Sequence, residues 1–327
     1  MAAAVSACLA CLTTGGCDMA SDDNNLVPAT VAKDESLPQL AFNGSNFHLE
    51  TFGDPADPVI IILHGGPGAD YRGLLPLLES VDGRRLQDDY LVVFWDQRGA
   101  GLSRRHDSAD IDVAIYDADL AWLVEHFSPD QPVVLIGHSW GGMYASNYIS
   151  GHPERVAGAV LMEPGPLTGK LYDEVASDIV ELDFFSEWLN DTTWAYRILS
   201  PDDHERADYL FALGGFGDSQ PKFHVPNDPT PFWRYGSVAG AAVQEDQTEG
   251  GKAVWDFTVG LDRYPPKVLF EASANNTAIG VEFQRRQLEF YGNAELVVIP
   301  DSGHEHPYTH PAETLRPIFD YFDELSF

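Results

Sequence analysis

The stretch Val133-Val134-Leu135-Ile136-Gly137-His138-Ser139-Trp140-Gly141-Gly142 decides the architecture. Its first four residues form a short apolar run closed by glycine, the pattern of a buried strand. Residues 143–150 then carry a helical segment. A serine at the apex of so sharp a strand-to-helix turn holds a strained backbone. The residues two positions to either side must then be small, as Gly137 and Gly141 are. This geometry exposes the Ser139 hydroxyl and aims the free N–H groups of the helix start at any oxyanion forming beside it. Ser139 is therefore the candidate nucleophile, and the Trp140 backbone N–H a candidate oxyanion donor. Glycine-flanked serines also occur in ordinary turns; the strand before and the helix after give this one its meaning.

Further apolar runs lie outward at helix-sized intervals: Val59–Leu63, Leu91–Trp95, Val156–Met162, 267–270 and 296–299, with an alternating strand over 47–52. Runs of this kind describe buried parallel strands with helices on both faces, so the expected class is α/β with a mostly parallel sheet. Helices are expected over 116–127, 143–150 and 281–291. One interval breaks the rhythm. About a hundred residues rich in Trp, Tyr, Phe, Asp and Glu separate Met162 from Lys267. A mainly helical cap, inserted before the penultimate core strand, accounts for them. It would cover the C-terminal edge of the sheet, where open α/β sheets place their sites. The expected division is a signal-like segment and flexible tether over 1–38, a core over 39–165 and 263–327, and a cap over 166–262.

Two more motifs extend the chemistry. His64-Gly65-Gly66-Pro67-Gly68 follows the strand Val59–Leu63, and such a loop supplies the second oxyanion donor that a serine nucleophile needs. Gly65 or Gly66 is that donor; sequence does not choose between them. Ser302-Gly303-His304 follows the last strand, in the chain order serine, acid, histidine. Most of the eleven histidines will be structural. His304 has the position of a general base, with His306 and His310 as near competitors.

His64–Gly68, Trp95-Asp96-Gln97-Arg98-Gly99-Ala100-Gly101-Leu102-Ser103 and Gly137–Gly142 together resemble the proline iminopeptidase family of α/β-hydrolases. The resemblance covers roughly residues 40–165 and the region of His304. It implies the α/β-hydrolase fold and a metal-free, cofactor-free serine hydrolase. The substrate would be a small peptide, amide or ester, most specifically an N-terminal prolyl peptide cleaved by an aminopeptidase. A carboxylesterase or lactonase of the same fold is the first alternative, and a non-enzymatic binding protein the second. Asp96 and Arg98 read as a structural pair bracing their turn. The family binds the substrate's amino group with acidic cap residues beside aromatic ones. Glu174, Glu181, Glu187 and Glu205 beside Trp188, Trp194, Trp233 and Tyr235 are the candidates, though such aromatics equally make a lid's own core.

The triad acid departs from the family pattern. An Asp normally stands a few residues beyond the strand that here begins at Lys267, and Asn276 occupies that place. An amide can orient an imidazole but cannot stabilise its charged form; acid-to-amide changes in triads cost on the order of 10⁴ in rate. Glu271 lies inside the strand, too early. Glu163 ends the strand Val156–Met162, next to the strand of Ser139. Certain haloalkane dehalogenases carry their acid at this earlier strand end and Asn at the later site, and the present arrangement is similar. Glu163 is therefore the expected acid and Asn276 its helper, against the plainer reading of a surface Glu at a strand end. Dehalogenases and epoxide hydrolases themselves use an Asp nucleophile, which Ser139 argues against.

Composition bounds the partners. Acidic side chains number 51 against 19 basic, for a net charge of −32, which repels nucleic acid and disfavours anionic substrates. The balance, with few lysines, suits a salty milieu and follows equally from GC-rich codon bias. Cys8, Cys11 and Cys17 are the three cysteines, so the rest of the chain has no disulfide, thiolate metal site or thiol nucleophile. The small, uncharged residues 1–16, then Cys17 and the polar 21–25, resemble a bacterial lipoprotein signal with Cys17 as lipidation site. The absence of a preceding Lys or Arg and Thr14 in a position that prefers Leu or Val depart from it. The expectation is an exported protein, lipid-anchored or periplasmic, with a cytoplasmic one carrying an unprocessed tail as the alternative. No later stretch reaches the ~20 apolar residues of a membrane span.

Overall fold

The computed structural model describes residues 27–179, 202–214 and 232–325. Cys17, Glu181, Glu187, Trp188 and Trp194 lie outside the described residues. Eight strands form the central sheet: β1 (Gln39–Phe42), β2 (Ser45–Phe52), β3 (Val59–Leu63), β4 (Leu91–Trp95), β5 (Val133–His138), β6 (Val156–Met162), and, after a small hairpin of β7 (Thr248–Glu249) with β8 (Lys252–Ala253), β9 (Val268–Ser273) and β10 (Ala294–Ile299). Their order is β1-β2-β4-β3-β5-β6-β9-β10. β1 and β2 run antiparallel to their neighbours and the others are parallel.

Burial follows the order of the sheet. β3, β4 and β5 are buried at every position, as strands covered on both faces must be. β10, at the edge, is mostly half-exposed. Alternation sorts side chains between two layers. Ile61, Leu63, Val93, Trp95 and Leu135 meet α1 (Val113–Phe127) and α2 (Trp140–Gly151) through Leu120, Leu123, Ala145 and Tyr148. Ile60, Ile62, Val92, Phe94 and Ile136 meet the 3-10 helix Tyr71–Leu78 and the C-terminal helix through Leu74, Leu77, Leu315 and Ile318.

The interval between β6 and β9 holds α3 (Gly169–Ile179), α4 (Asp203–Gly214), α5 (Ser237–Asp246) and the β7–β8 hairpin. Its two ends lie side by side: Gly169 N donates to Trp255 O at 2.8 Å and Phe257 N to Leu167 O at 2.9 Å. The returning segment is fastened to the Gly-rich loop of the core. Trp233 N and Arg234 N donate to Asp70, Tyr235 Oη to Pro67 O at 2.6 Å, and Gly236 N to Gly68 O at 2.7 Å. After the C-terminal edge strand come the short α7 (His306–Thr309) and α8 (Pro311–Glu324); α6 (Val281–Leu288) links β9 to β10.

Residues 27–38, expected as the end of a flexible tether, are packed on the body. Val31 is buried and donates to Leu102 O, Pro28 O accepts from Arg234, and Lys33 bridges to Asp202 and Glu205. Buried valines and paired charges offset the cost of ordering this stretch. Among the described residues no helix is long and apolar enough to cross a membrane.

Candidate active site

Ser139 caps α2 with φ 55° and ψ −118°. The turn is tight enough that a Cβ at Gly137 would strike the Gly141 carbonyl, and one at Gly141 the Leu63 carbonyl. Both glycines are therefore steric necessities. Ser139 N donates to Met162 O at 3.1 Å, and Ser139 O accepts from Gly165 N at 3.2 Å, so the turn is laced to the end of β6. That lacing brings Glu163 beside it. Glu163 also holds a left-handed backbone, φ 47°. Non-glycine residues in this region are uncommon and concentrate at functional sites.

Glu163 is fully buried, and all its polar capacity is directed. Oε1 accepts from Ser273 N at 2.9 Å and Ser273 Oγ at 2.7 Å. Oε2 accepts from Asn276 Nδ2 at 2.8 Å and pairs with His304 Nδ1 at 2.7 Å. Asn276 is unambiguous in orientation because its Oδ1 accepts from Ala278 N and Ile279 N. The residue at the expected acid position thus supports an acid placed elsewhere. His138 Nε2 bonds His304 O at 2.8 Å, which ties the His304 loop to the residue before Ser139.

The electrostatics follow. Burial works against a charged Glu163, but the hydrogen bond and charge of His304 prevail and lower its pKa to about 2. Burial likewise disfavours charged His304, and the hydrogen bond and charge of Glu163 outweigh it, leaving that pKa raised. An imidazole held by one nitrogen, with its charged form stabilised, has the properties of a general base. The competitors bond elsewhere than to Glu163: His306 bonds Thr314 and is pushed down to about 3, chiefly by burial, and His310 bonds Thr309.

The Gly-rich loop passes directly over Ser139. A Cβ at Gly65 would come 3.1 Å from the Ser139 Cβ, and Gly66 has φ 119°. Gly66, Ser139 and Trp140 line one cleft of about 140 Å³; Gly65 lies against Ser139 behind it. Gln97 braces both sides, a role the sequence did not disclose. Its N donates to His64 Nε2 and its Nε2 to His64 O, and its Oε1 accepts from Trp140 Nε1 at 3.0 Å.

One expectation needs correcting, and two sets of candidates find their places. Asp96 and Arg98 do not pair with each other. Asp96 takes His48 Nδ1 and the N–H groups of Tyr71 and Leu102, whereas Arg98 forks onto Asp119, because the turn between them sends the two side chains to opposite anchors. Of the described acidic candidates, Glu174 pairs with Arg286 and Glu205 with Lys33, and neither lines the cleft. Trp233 packs on His48 and Tyr71 and Tyr235 bonds Pro67, as the lid-core alternative has it; among the described residues the aromatics lining the cleft are Trp140, Tyr172 and Trp255.

Glu271 stands apart. It is fully buried on β9, neither carboxyl oxygen has a hydrogen-bond partner, and the nearest charge partner is His306 at 3.9 Å. Burial raises its pKa well above the ordinary 4.5. The unfolded chain therefore ionises this group where the folded chain resists, so it penalises folding increasingly as pH rises above 4.5. Glu271→Leu is expected to stabilise the fold by about 1–3 kcal/mol at pH 7, with the gain shrinking toward pH 4. Denaturant titrations at both pH values check this, and turnover should escape the loss expected at Glu163.

A sharply turned serine, a buried carboxylate–imidazole pair and a glycine loop over a cleft define a hydrolytic class of site. The sequence matches the family described as alpha/beta hydrolase fold over residues 58–311, and the chain belongs to that family of hydrolases. It is 36% identical over 107 residues to "Probable aminopeptidase YbaC" of Bacillus subtilis, covering 31% of this chain and 32% of that one. It is 38% identical over 114 residues to a proline iminopeptidase of Neisseria meningitidis, covering 34% of each. The chain spans about a third of the length of these relatives. Among solved structures, "Est816 as an N-Acyl homoserine lactone degrading enzyme" superposes with TM-score 0.57 at 18% identity, over 86% of this chain and 99% of that one; this likeness concerns the fold.

Proposed function

We propose that this protein is a serine hydrolase that cleaves uncharged esters or amides through an acyl-enzyme. The observation that carries the reading is the buried Glu163–His304 pair, 2.7 Å apart, behind the strained Ser139 turn. In this mechanism Ser139 Oγ attacks the carbonyl as His304 takes its proton. The Trp140 N–H, with Gly66 or Gly65, holds the tetrahedral oxyanion. The protonated His304 then gives its proton to the leaving alcohol or amine, and water repeats the sequence to free the acid. Glu163 stays ionised throughout and stabilises the imidazolium.

An esterase or lactonase is favoured on the substrate side, because the described cleft walls carry no acidic side chain. An ammonium group buried there would lack a counter-charge. The aminopeptidase reading draws its support from the named relatives, each matched over about a third of its length. Turnover of p-nitrophenyl acetate, proline-naphthylamide and N-blocked proline-naphthylamide separates them. The expected order places the acetate first and gives no advantage to the free amine. A preference for free over blocked proline of tenfold or more would overturn the esterase reading.

A further inference from the structure

The cleft beside Ser139 offers few polar atoms. The indole N–H of Trp140 is committed to Gln97 and that of Trp255 to Pro166 O at 2.8 Å, so both rings meet a ligand as apolar surface. Met143, Val243 and Ile279 extend that surface. Gln247 interrupts it. It follows α5, lines the cleft, and is 6% exposed. Its Nε2 donates to Val243 O at 3.1 Å. A carbonyl can only accept, so this bond fixes which end of the amide is the nitrogen. Oε1 then has no hydrogen-bond partner among the described residues. Gln244 also lines the cleft, but it is exposed and water satisfies it.

Oε1 is open to the cleft, so a fixed acceptor on an apolar wall offers a ligand donor a place now left to water. We propose that Gln247 reads a single uncharged N–H, and that the substrate class is an ester or lactone bearing a secondary amide close to the scissile carbonyl. A secondary amide brings one N–H, matching one free acceptor. A prolyl ammonium brings two and a primary ammonium three, and the apolar surface would strand the others. This inference rests on the serine-hydrolase reading and names the substrate feature that site selects.

The experiment compares p-nitrophenyl N-acetylglycinate with p-nitrophenyl N-acetylsarcosinate, which replaces the N–H by N–CH₃. Wild type is expected to favour the N–H ester about tenfold in kcat/KM, the worth of one well-placed hydrogen bond. Gln247→Leu should bring the ratio close to one; Gln247→Met, closer in shape, serves if the leucine variant does not fold. A wild-type ratio near one, or a preference that survives the substitution, overturns the proposal. Brisk turnover that ignores the N–H removes this inference alone. Failure to hydrolyse any ester, with no fluorophosphonate attachment at Ser139, removes the hydrolase reading and this one with it.

Discussion

Ser139→Ala is expected to lower kcat by about 10⁵- to 10⁶-fold, the scale of nucleophile removal in triad enzymes, with little change in KM. The loss is chemical rather than structural. The backbone bonds of the turn run through Ser139 N and O, to Met162 and from Gly142, Met143 and Gly165, and alanine keeps them all. Alanine also occupies the same left-handed backbone as serine, at φ 55°, without added bulk. The thermal midpoint should therefore stay close to wild type while fluorophosphonate labelling disappears. A rate about 10³- to 10⁴-fold above water remains, from the oxyanion donors and binding alone. Retention of turnover within tenfold of wild type would remove Ser139 from the chemistry.

Glu163→Gln is the second large effect, on the order of 10⁴ in kcat/KM. The amide can still meet Ser273, but it can no longer stabilise the His304 imidazolium. The pH profile carries the more specific signature. In the wild type Glu163 raises the His304 pKa above its ordinary 6.5. The base must be neutral to accept a proton, so activity falls as pH drops through that raised value. Removing the carboxylate leaves burial, which lowers a histidine pKa, as the dominant influence. The acid limb should then move below 6.5. A limb that stays in place, whatever the rate, would mean that Glu163 does not act on His304.

The same pair sets the acid stability of the fold. Glu163 is depressed to about 2 from 4.5, so its contribution is present above 4.5 and is lost as pH falls toward 2. His304 is raised, so its contribution is present below 6.5 and is lost as pH climbs through its folded value. Both act together between those limits.

Much of this site was legible along the chain because its parts are local. A strand, a turn and a helix start are set by neighbours within a few residues. The run around Ser139 and the loop at His64–Gly68 could therefore be placed by short-range sterics. Glu163 was legible for a related reason: a carboxylate after an apolar run ends a strand, and strand ends of a parallel sheet converge on one edge. Gln97 and Ser273 gave no such signal. Gln97 lies inside the motif Trp95–Ser103, but nothing in a motif or in a serine closing a strand says what the side chain will bond; their partners lie 33 and 110 residues away. Which aromatics of the insertion face the cleft was left open by the sequence for the same reason, since Trp233 and Trp255 fold against different elements.

The amino-acid sequence by itself determined the parallel sheet, the bent serine and the order of the reacting groups, because apolar period and glycine sterics act at short range. Only the tertiary structure decided how Glu163 is held, with Ser273 on one oxygen and Asn276 and His304 on the other, and that Gln247 lines the cleft. Those outcomes depend on directed hydrogen bonds between distant strand ends, loops and cap helices, which no local pattern encodes.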